Sequence, residues 1–202
     1  NSMGYRAPEF TTIDWSNSIV VFGCSYVYGT TIQAKDTISS NLEKLSGRPV
    51  INMGVPASSI AYSVVNQICM NEQGIYPYAV INCWTSMQRV SYFLNSNSSV
   101  HIGPWITNDT VSNLDLRLYN KMFELWNFKD SNPEMYGSIF QRMARIIWKD
   151  SKHLEYTFFP STANQLNVKL LEQFDFGLDD SHPGVRTTFE AAKLMAQELE
   201  GI

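Results

Sequence analysis

The sequence predicts a three-layer α/β/α fold built on a parallel sheet of about five strands. Three observations carry that expectation. Short apolar runs rich in β-branched residues stand at Ser18–Phe22, Pro49–Met53 and Tyr78–Cys83, and continuous apolar runs of this kind suit strands buried on both faces. Stretches with helical spacing separate them. Strand, helix, strand, helix and strand follow one another within about 65 residues, the rhythm of βαβ units with helices on both sheet faces.

Taken in order, the first strand ends at Gly23 and leads into a loop over Cys24–Ala34. Asp36 is the expected N-cap of a helix over Thr37–Leu45, whose Ile38, Leu42 and Leu45 share a face and which Gly47 closes. The second strand stops at Gly54-Val55-Pro56. Ser59–Asn71 reads as helix and Gly74 ends it. After the third strand comes a polar stretch, Asn95–Asn113, expected as a long loop within an insertion over residues 86–113. Leu114–Phe128 and Glu134–Lys152 read as helices, Leu154–Phe159 as a fourth strand ended by Pro160, and Asn167–Phe174 as either helix or strand. A last helix runs over Pro183–Leu199, with Pro183 near its first turn. Residues 1–17 form an N-terminal extension in which Asn1-Ser2 resembles a tag remnant, and residues 18–202 are expected to be one domain.

Composition narrows the function classes. The chain has 202 residues, 44% hydrophobic and 17% charged, with a net charge of -4. That suits a globular core and lacks the dense basic face of a generic nucleic-acid binder. The cluster Arg142–Lys152, with Asp150 inside it, reads as a solvated helix face. Three cysteines, Cys24, Cys69 and Cys83, show no C-x-x-C spacing, so they suggest neither a zinc nor a redox site. No metal or organic cofactor is expected. No apolar run approaches the roughly 20 residues of a membrane span, and no signal-like segment opens the sequence. A reduced, cytoplasmic chain is the simplest reading, with a secreted or virion location as the alternative. The oligomeric state has no signature.

In open parallel sheets, ligands sit at the carboxyl ends of the strands. Past the first strand lies Gly23-Cys24-Ser25, with Gly29 four residues on. Past the second lies Gly54, and past the third Trp84-Thr85-Ser86. Before the last helix stands Asp179-Asp180-Ser181-His182-Pro183. Together these would supply a hydroxyl, a base, a carboxylate to orient that base and donors for an oxyanion, the requirements of nucleophilic acyl transfer.

These blocks resemble the SGNH hydrolases, also called GDSL esterases. Gly23-Cys24-Ser25 through Gly29 is similar to the nucleophile block G-D-S-x-x-x-G, with Cys24 in place of Asp. Gly54 falls on the block whose glycine N–H faces the oxyanion, and Asp179-x-x-His182 matches the block D-x-x-H. The resemblance implies a flavodoxin-like domain and a serine esterase, cleaving a small acyl ester such as a carbohydrate O-acetyl group. It implies Ser25 as nucleophile, His182 as base and Asp179 as its orienter, with Asp180 the rival. The implied oxyanion donors are the N–H groups of Ser25 and Gly54 and a side chain of the third block. There the family has G-x-N-D and this chain has Cys83-Trp84-Thr85-Ser86. Thr85 falls nearest the family's Asn, Ser86 is its neighbour, and Asn82 would serve only if the strand ended early. Tyr26, Trp84, Ser86 and Arg89 are the expected substrate contacts, with Tyr28 and Trp105 nearby. Cys24 is a rival nucleophile only if its thiol is accessible, and His101 and His153 are expected at the surface. Two other functions stay open: a binding module retired from catalysis, and a thioesterase or lysophospholipase with a lipid acyl pocket.

Overall fold

The computed structural model describes residues 1–95, 98–103, 121, 124 and 131–201. Its central sheet has the strands β1 (Ile19–Gly23), β2 (Val50–Gly54), β3 (Ala79–Trp84), β6 (Lys152–Thr157) and β7 (Lys169–Leu170). They lie in the order β2-β1-β3-β6-β7 and every pairing is parallel. This is the strand order of flavodoxin-like sheets, which places a crevice at the switch point between β1 and β3. Val21 pairs with Asn52 on one side and Ile81 on the other. A separate antiparallel pair, β4 (Val90–Asn95) and β5 (Ser98–Ile102), stands outside the sheet.

The side-chain alternation of β1 divides the core. Ile19 and Val21 face α2 (Ile38–Ser46) and α6 (Val185–Glu200), where Ile38, Leu42, Ala192 and Met195 are fully buried. Val20 and Phe22 face the other side, where they pack with Met70 of α3 (Ile60–Glu72), Trp148 and part of the N-terminal extension. Farther along that face, Ile60 and Val64 pack against Trp84, Met87 and Ala144 of α4 (Ser131–Ile147). Both faces of the strands are therefore apolar, which is why their sequence shows no alternation.

Several boundaries differ from expectation for identifiable reasons. The cap of α2 is Thr37, whose Oγ1 accepts from Ser40 N–H at 3.2 Å, because Asp36 closes a short 3₁₀ turn of its own. The expected loop after β1 opens with a single helical turn, α1 (Ser25–Tyr28). α4 ends at Ile147, since Lys152 and His153 pair with Ala79 and Val80 in the sheet and cannot continue a helix. Pro160 starts α5 (Pro160–Leu166) rather than only ending a strand, because proline suits the first turn of a helix. Asn167–Phe174 contributes only the two-residue β7. The last helix begins at Val185, with Pro183 before it in an isolated bridge to Phe176. The expected helix over Leu114–Phe128 lies almost wholly outside the described residues, as does most of the expected loop. The loop's first residues instead belong to the β4–β5 hairpin.

Candidate active site

Gly23 and Gly54 end neighbouring strands, and both let the α1 turn lie against the sheet. A Cβ on Gly23 would meet the Val27 side chain and the Cys83 carbonyl. One on Gly54 would meet the backbone of Val27 and Tyr28. Asn52 completes the seat: its amide donates to Val27 O at 2.8 Å, and its Oδ1 accepts from Gly54 N–H at 3.0 Å. Ser25 is thereby fixed at the first position of α1, directly past the end of β1, and is 6% exposed.

The second half of the site is a turn before α6. Asp180 N–H donates to Gly177 O at 3.1 Å, Gly177 N–H to His182 O at 2.7 Å, and Asp180 takes φ 53°, a left-handed conformation that Asp tolerates. Asp179 Oδ1 accepts from the N–H groups of Ser181 and His182 at 3.2 and 3.0 Å. The turn holds His182 Nδ1 at 2.5 Å from Asp179 Oδ2 and His182 Nε2 at 2.9 Å from Ser25 Oγ. Because the ionised carboxylate can only accept, Nδ1 carries the ring proton and Nε2 is left to accept from the Ser25 hydroxyl. The backbone N–H of His182, then its ring and Ser181 N–H, hold the Asp179 carboxyl well below the usual carboxylate range. Asp180 makes no such side-chain bond among the described contacts, so the geometry favours Asp179 of the two aspartates.

Tyr26 braces this arrangement. Its ring lies 5.3 Å from His182 and 5.3 Å from each of Phe158 and Phe159, and its hydroxyl donates to Ser181 O at 3.2 Å. Burial, with the Cys24 thiol adding to it, raises the Tyr26 phenol above its ordinary pKa. Its hydroxyl therefore stays a donor.

Other expected residues fall elsewhere. Gly54 N–H is buried and already committed to Asn52, so it cannot also face an oxyanion; this glycine serves close packing instead. Trp84 is 2% exposed, packs in the core and donates its indole N–H to Glu155 at 3.1 Å, which removes it from any substrate surface. Asn82 lies mid-strand, bonded to Gln67 and His153. Tyr28 lies under the Arg6 guanidinium, and Trp105 is outside the described residues. Ser86 accepts from Gln88 N–H at 3.4 Å in the loop past β3. Arg89 lies 5.5 Å from the centre of the Phe159 ring, next to the Tyr26 cluster. Cys24 is buried, on the strand side of α1.

Thr85 ends 3% exposed, with a buried Oγ1 that bonds to no other described group. His101 and His153, expected at the surface, are half-buried. His101 Nδ1 lies 2.8 Å from Ser91 Oγ and His153 Nε2 lies 2.7 Å from the Asn82 amide, and burial lowers the pKa of both. Two features escaped the sequence reading. Asn52 stands with Gly54 at the end of the second strand, but its role in seating α1 has an i+2 amide signature too ordinary to single out. Ala57 takes φ 64° in a loop tied to Gly23 O by Val55 N–H and the Ser58 hydroxyl, and such strain gathers at functional loops.

Among the described residues, no group of three or more His, Cys, Asp or Glu is placed to share a metal ion, and no helix is long and apolar enough to cross a membrane. No protein-family model and no curated protein matches the sequence. Solved structures do match. A G-D-S-L family lipolytic protein from Desulfitobacterium hafniense matches with TM-score 0.52 and 9% identity, over 90% of this chain and 99% of that one. The chain has the SGNH hydrolase fold. Two carbohydrate esterases resemble it to a similar degree. The acetyl xylan esterase of the rumen bacterium Butyrivibrio proteoclasticus gives TM-score 0.53 and 13% identity over 94% of this chain. A carbohydrate esterase family 2 enzyme with a carbohydrate binding domain, from Corynascus thermopiles, gives 0.51 and 9% over 92%. This chain spans 65% and 66% of those two proteins.

Proposed function

We propose that the protein is a serine esterase that uses Ser25 as nucleophile, His182 as general base and Asp179 as the orienting carboxylate. The observation that supports it is the unbroken relay from Ser25 Oγ through both ring nitrogens of His182 to Asp179, at 2.9 and 2.5 Å. Residues 157 positions apart meet in this bond. A capping turn alone would not need it.

In the first half-reaction Ser25 Oγ attacks the ester carbonyl carbon as His182 Nε2 takes its proton. The imidazolium so formed is stabilised by Asp179 and gives its proton to the departing alcohol. Water, deprotonated by His182, then attacks the acyl-enzyme and releases the acid, with Ser25 restored. The oxyanion is assigned to Ser25 N–H, which heads α1; the Thr85 hydroxyl, buried and without a partner among the described residues, would join it only on a shift of the loop past β3. Two structural neighbours, an acetyl xylan esterase and a carbohydrate esterase, suggest a sugar hydroxyl as the alcohol. The test is hydrolysis of p-nitrophenyl esters. Turnover that disappears in Ser25→Ala is expected; no turnover across a panel of acyl lengths would refute the reading.

A second reading, a binding module retired from catalysis, draws on the oxyanion side. One expected donor is occupied and the family's amide is replaced by a threonine. The two readings part on whether Ser25 reacts.

A further inference from the structure

A cavity of about 280 Å³ lies between α3, the start of β4 and α4, with none of Ser25, Asp179 or His182 in its walls. Its walls include Ile60, Ala61, Met87, Val90, Gly137 and Phe140, so apart from its rim it offers a guest dispersion contacts rather than hydrogen bonds. Two links tie it to Ser25. Ser59 lies on its edge, and the adjoining Ser58 hydroxyl donates to Gly23 O at 3.3 Å, two residues before Ser25. Arg89, also in its wall, lies against Phe159, which packs on Tyr26, which packs on His182.

Gly137 shapes the cavity. A glycine in the interior of a helix is unfavourable relative to alanine and calls for a packing reason. Here a Cβ would come within 2.6 Å of Met87 Sδ. The missing Cβ lets the Met87 thioether lie against α4 instead of across the cavity, and a flexible, unbranched side chain suits a wall that adapts to its guest.

We infer that this cavity receives the acyl group of the ester substrate, and that the group is a medium-length apolar chain or ring rather than acetyl. The inference rests on the esterase reading above. An apolar cavity of about 150 Å³ holds a benzene molecule. The space here, nearly double that, accommodates on the order of eight carbons. An acetyl group would leave most of it empty.

The test is a series of p-nitrophenyl esters from acetate to dodecanoate, on the wild type, Ala61→Phe and Met87→Ala. Burial of one methylene is worth roughly a fourfold gain, so over the four methylenes from acetate to hexanoate kcat/KM should rise by up to about 250-fold and level off near octanoate. Ala61→Phe fills the cavity and should lower the hexanoate-to-acetate ratio at least tenfold. Met87→Ala enlarges it and should move the optimum to a longer chain. Acetate as the best substrate, with both variants keeping the wild-type ratio, overturns the acyl pocket and leaves the esterase standing. Absence of turnover on every ester, with Ser25 unreactive to a fluorophosphonate, overturns both.

Discussion

Replacing Asp179 with Asn separates the two aspartates and measures what the carboxylate does. Asn keeps an Oδ1 able to accept from the N–H groups of Ser181 and His182, so the turn that carries the imidazole should persist. What changes is the group 2.5 Å from His182 Nδ1. An amide N–H₂ facing that nitrogen makes Nδ1 the acceptor and moves the ring proton to Nε2. The imidazole would then donate toward Ser25 instead of accepting from it. In a well-studied serine protease the same exchange costs about 10,000-fold in kcat. The Asp179 side chain is 34% exposed, so water partly replaces the lost acceptor and rotates in to restore the productive tautomer. The expected loss in kcat is therefore smaller, about 100- to 1,000-fold, with KM nearly unchanged. The control is Asp180→Asn, which keeps a residue suited to φ 53° and should stay within about twofold of wild type. Steady-state hydrolysis of a p-nitrophenyl ester reads both. Equal losses in the two variants, or a larger loss at Asp180, would refute the assignment of Asp179.

Three further expectations follow from the same geometry. Thr85→Val should lower kcat about 10- to 100-fold, by loss of a weak oxyanion donor. Thermal stability should stay equal or rise, because a buried hydroxyl without a partner is removed; unchanged kcat would exclude Thr85 from the oxyanion site. Gly54→Ala should lower stability by about 1–3 kcal/mol or more through overpacking, since the new Cβ meets the Val27 and Tyr28 backbone; denaturant unfolding measures it, and a neutral result would contradict the close seat of α1. Asp175 accepts from Arg186 N–H at 3.0 Å and Thr187 N–H at 2.7 Å at the start of α6, and hydrogen bonds from Thr187 and Arg186 outweigh burial to lower its pKa. A depressed folded pKa gives stability that is complete above the unfolded value near 4 and lost as pH falls through the folded one. Asp175→Ala should therefore cost about 1–2 kcal/mol at pH 7, and the difference from wild type should shrink below about pH 4 in acid titrations of stability. A difference independent of pH would show that packing, not charge, is lost.

The strands β1, β2 and β3 were legible because burial on both faces writes itself as continuous apolar sequence, and each lies within a residue or so of its expected span. The Ser25 block stood out through Gly23 and Gly29 directly past a strand, and the His182 block through Asp179, Pro183 and Gly184 before a helix. What stayed hidden depends on partners distant in sequence. Lys152 and His153 read as the end of a helix, and only pairing with β3 makes them strand. Trp84 reads as an exposed aromatic near a site, and only the cross-strand Glu155 shows that its indole N–H points into a packed face. His153 reads as a surface residue until Asn82 is seen beside it. Gly54 was expected to offer its N–H, and the neighbouring Asn52 takes it through a local bond that the pattern N-x-G does not advertise. Gly137 gave no signal within its helix, since the residue it accommodates, Met87, lies 50 positions earlier.

The central claim is that the Ser25 hydroxyl is activated by His182. Incubation of the folded protein with a fluorophosphonate, followed by mass spectrometry of the digested chain, measures that directly. The account predicts one phosphonyl adduct on the peptide carrying Ser25, formed far more slowly in His182→Ala and absent in Ser25→Ala. A protein that stays unlabelled, or one labelled on a different residue at the same rate in all three forms, would contradict it.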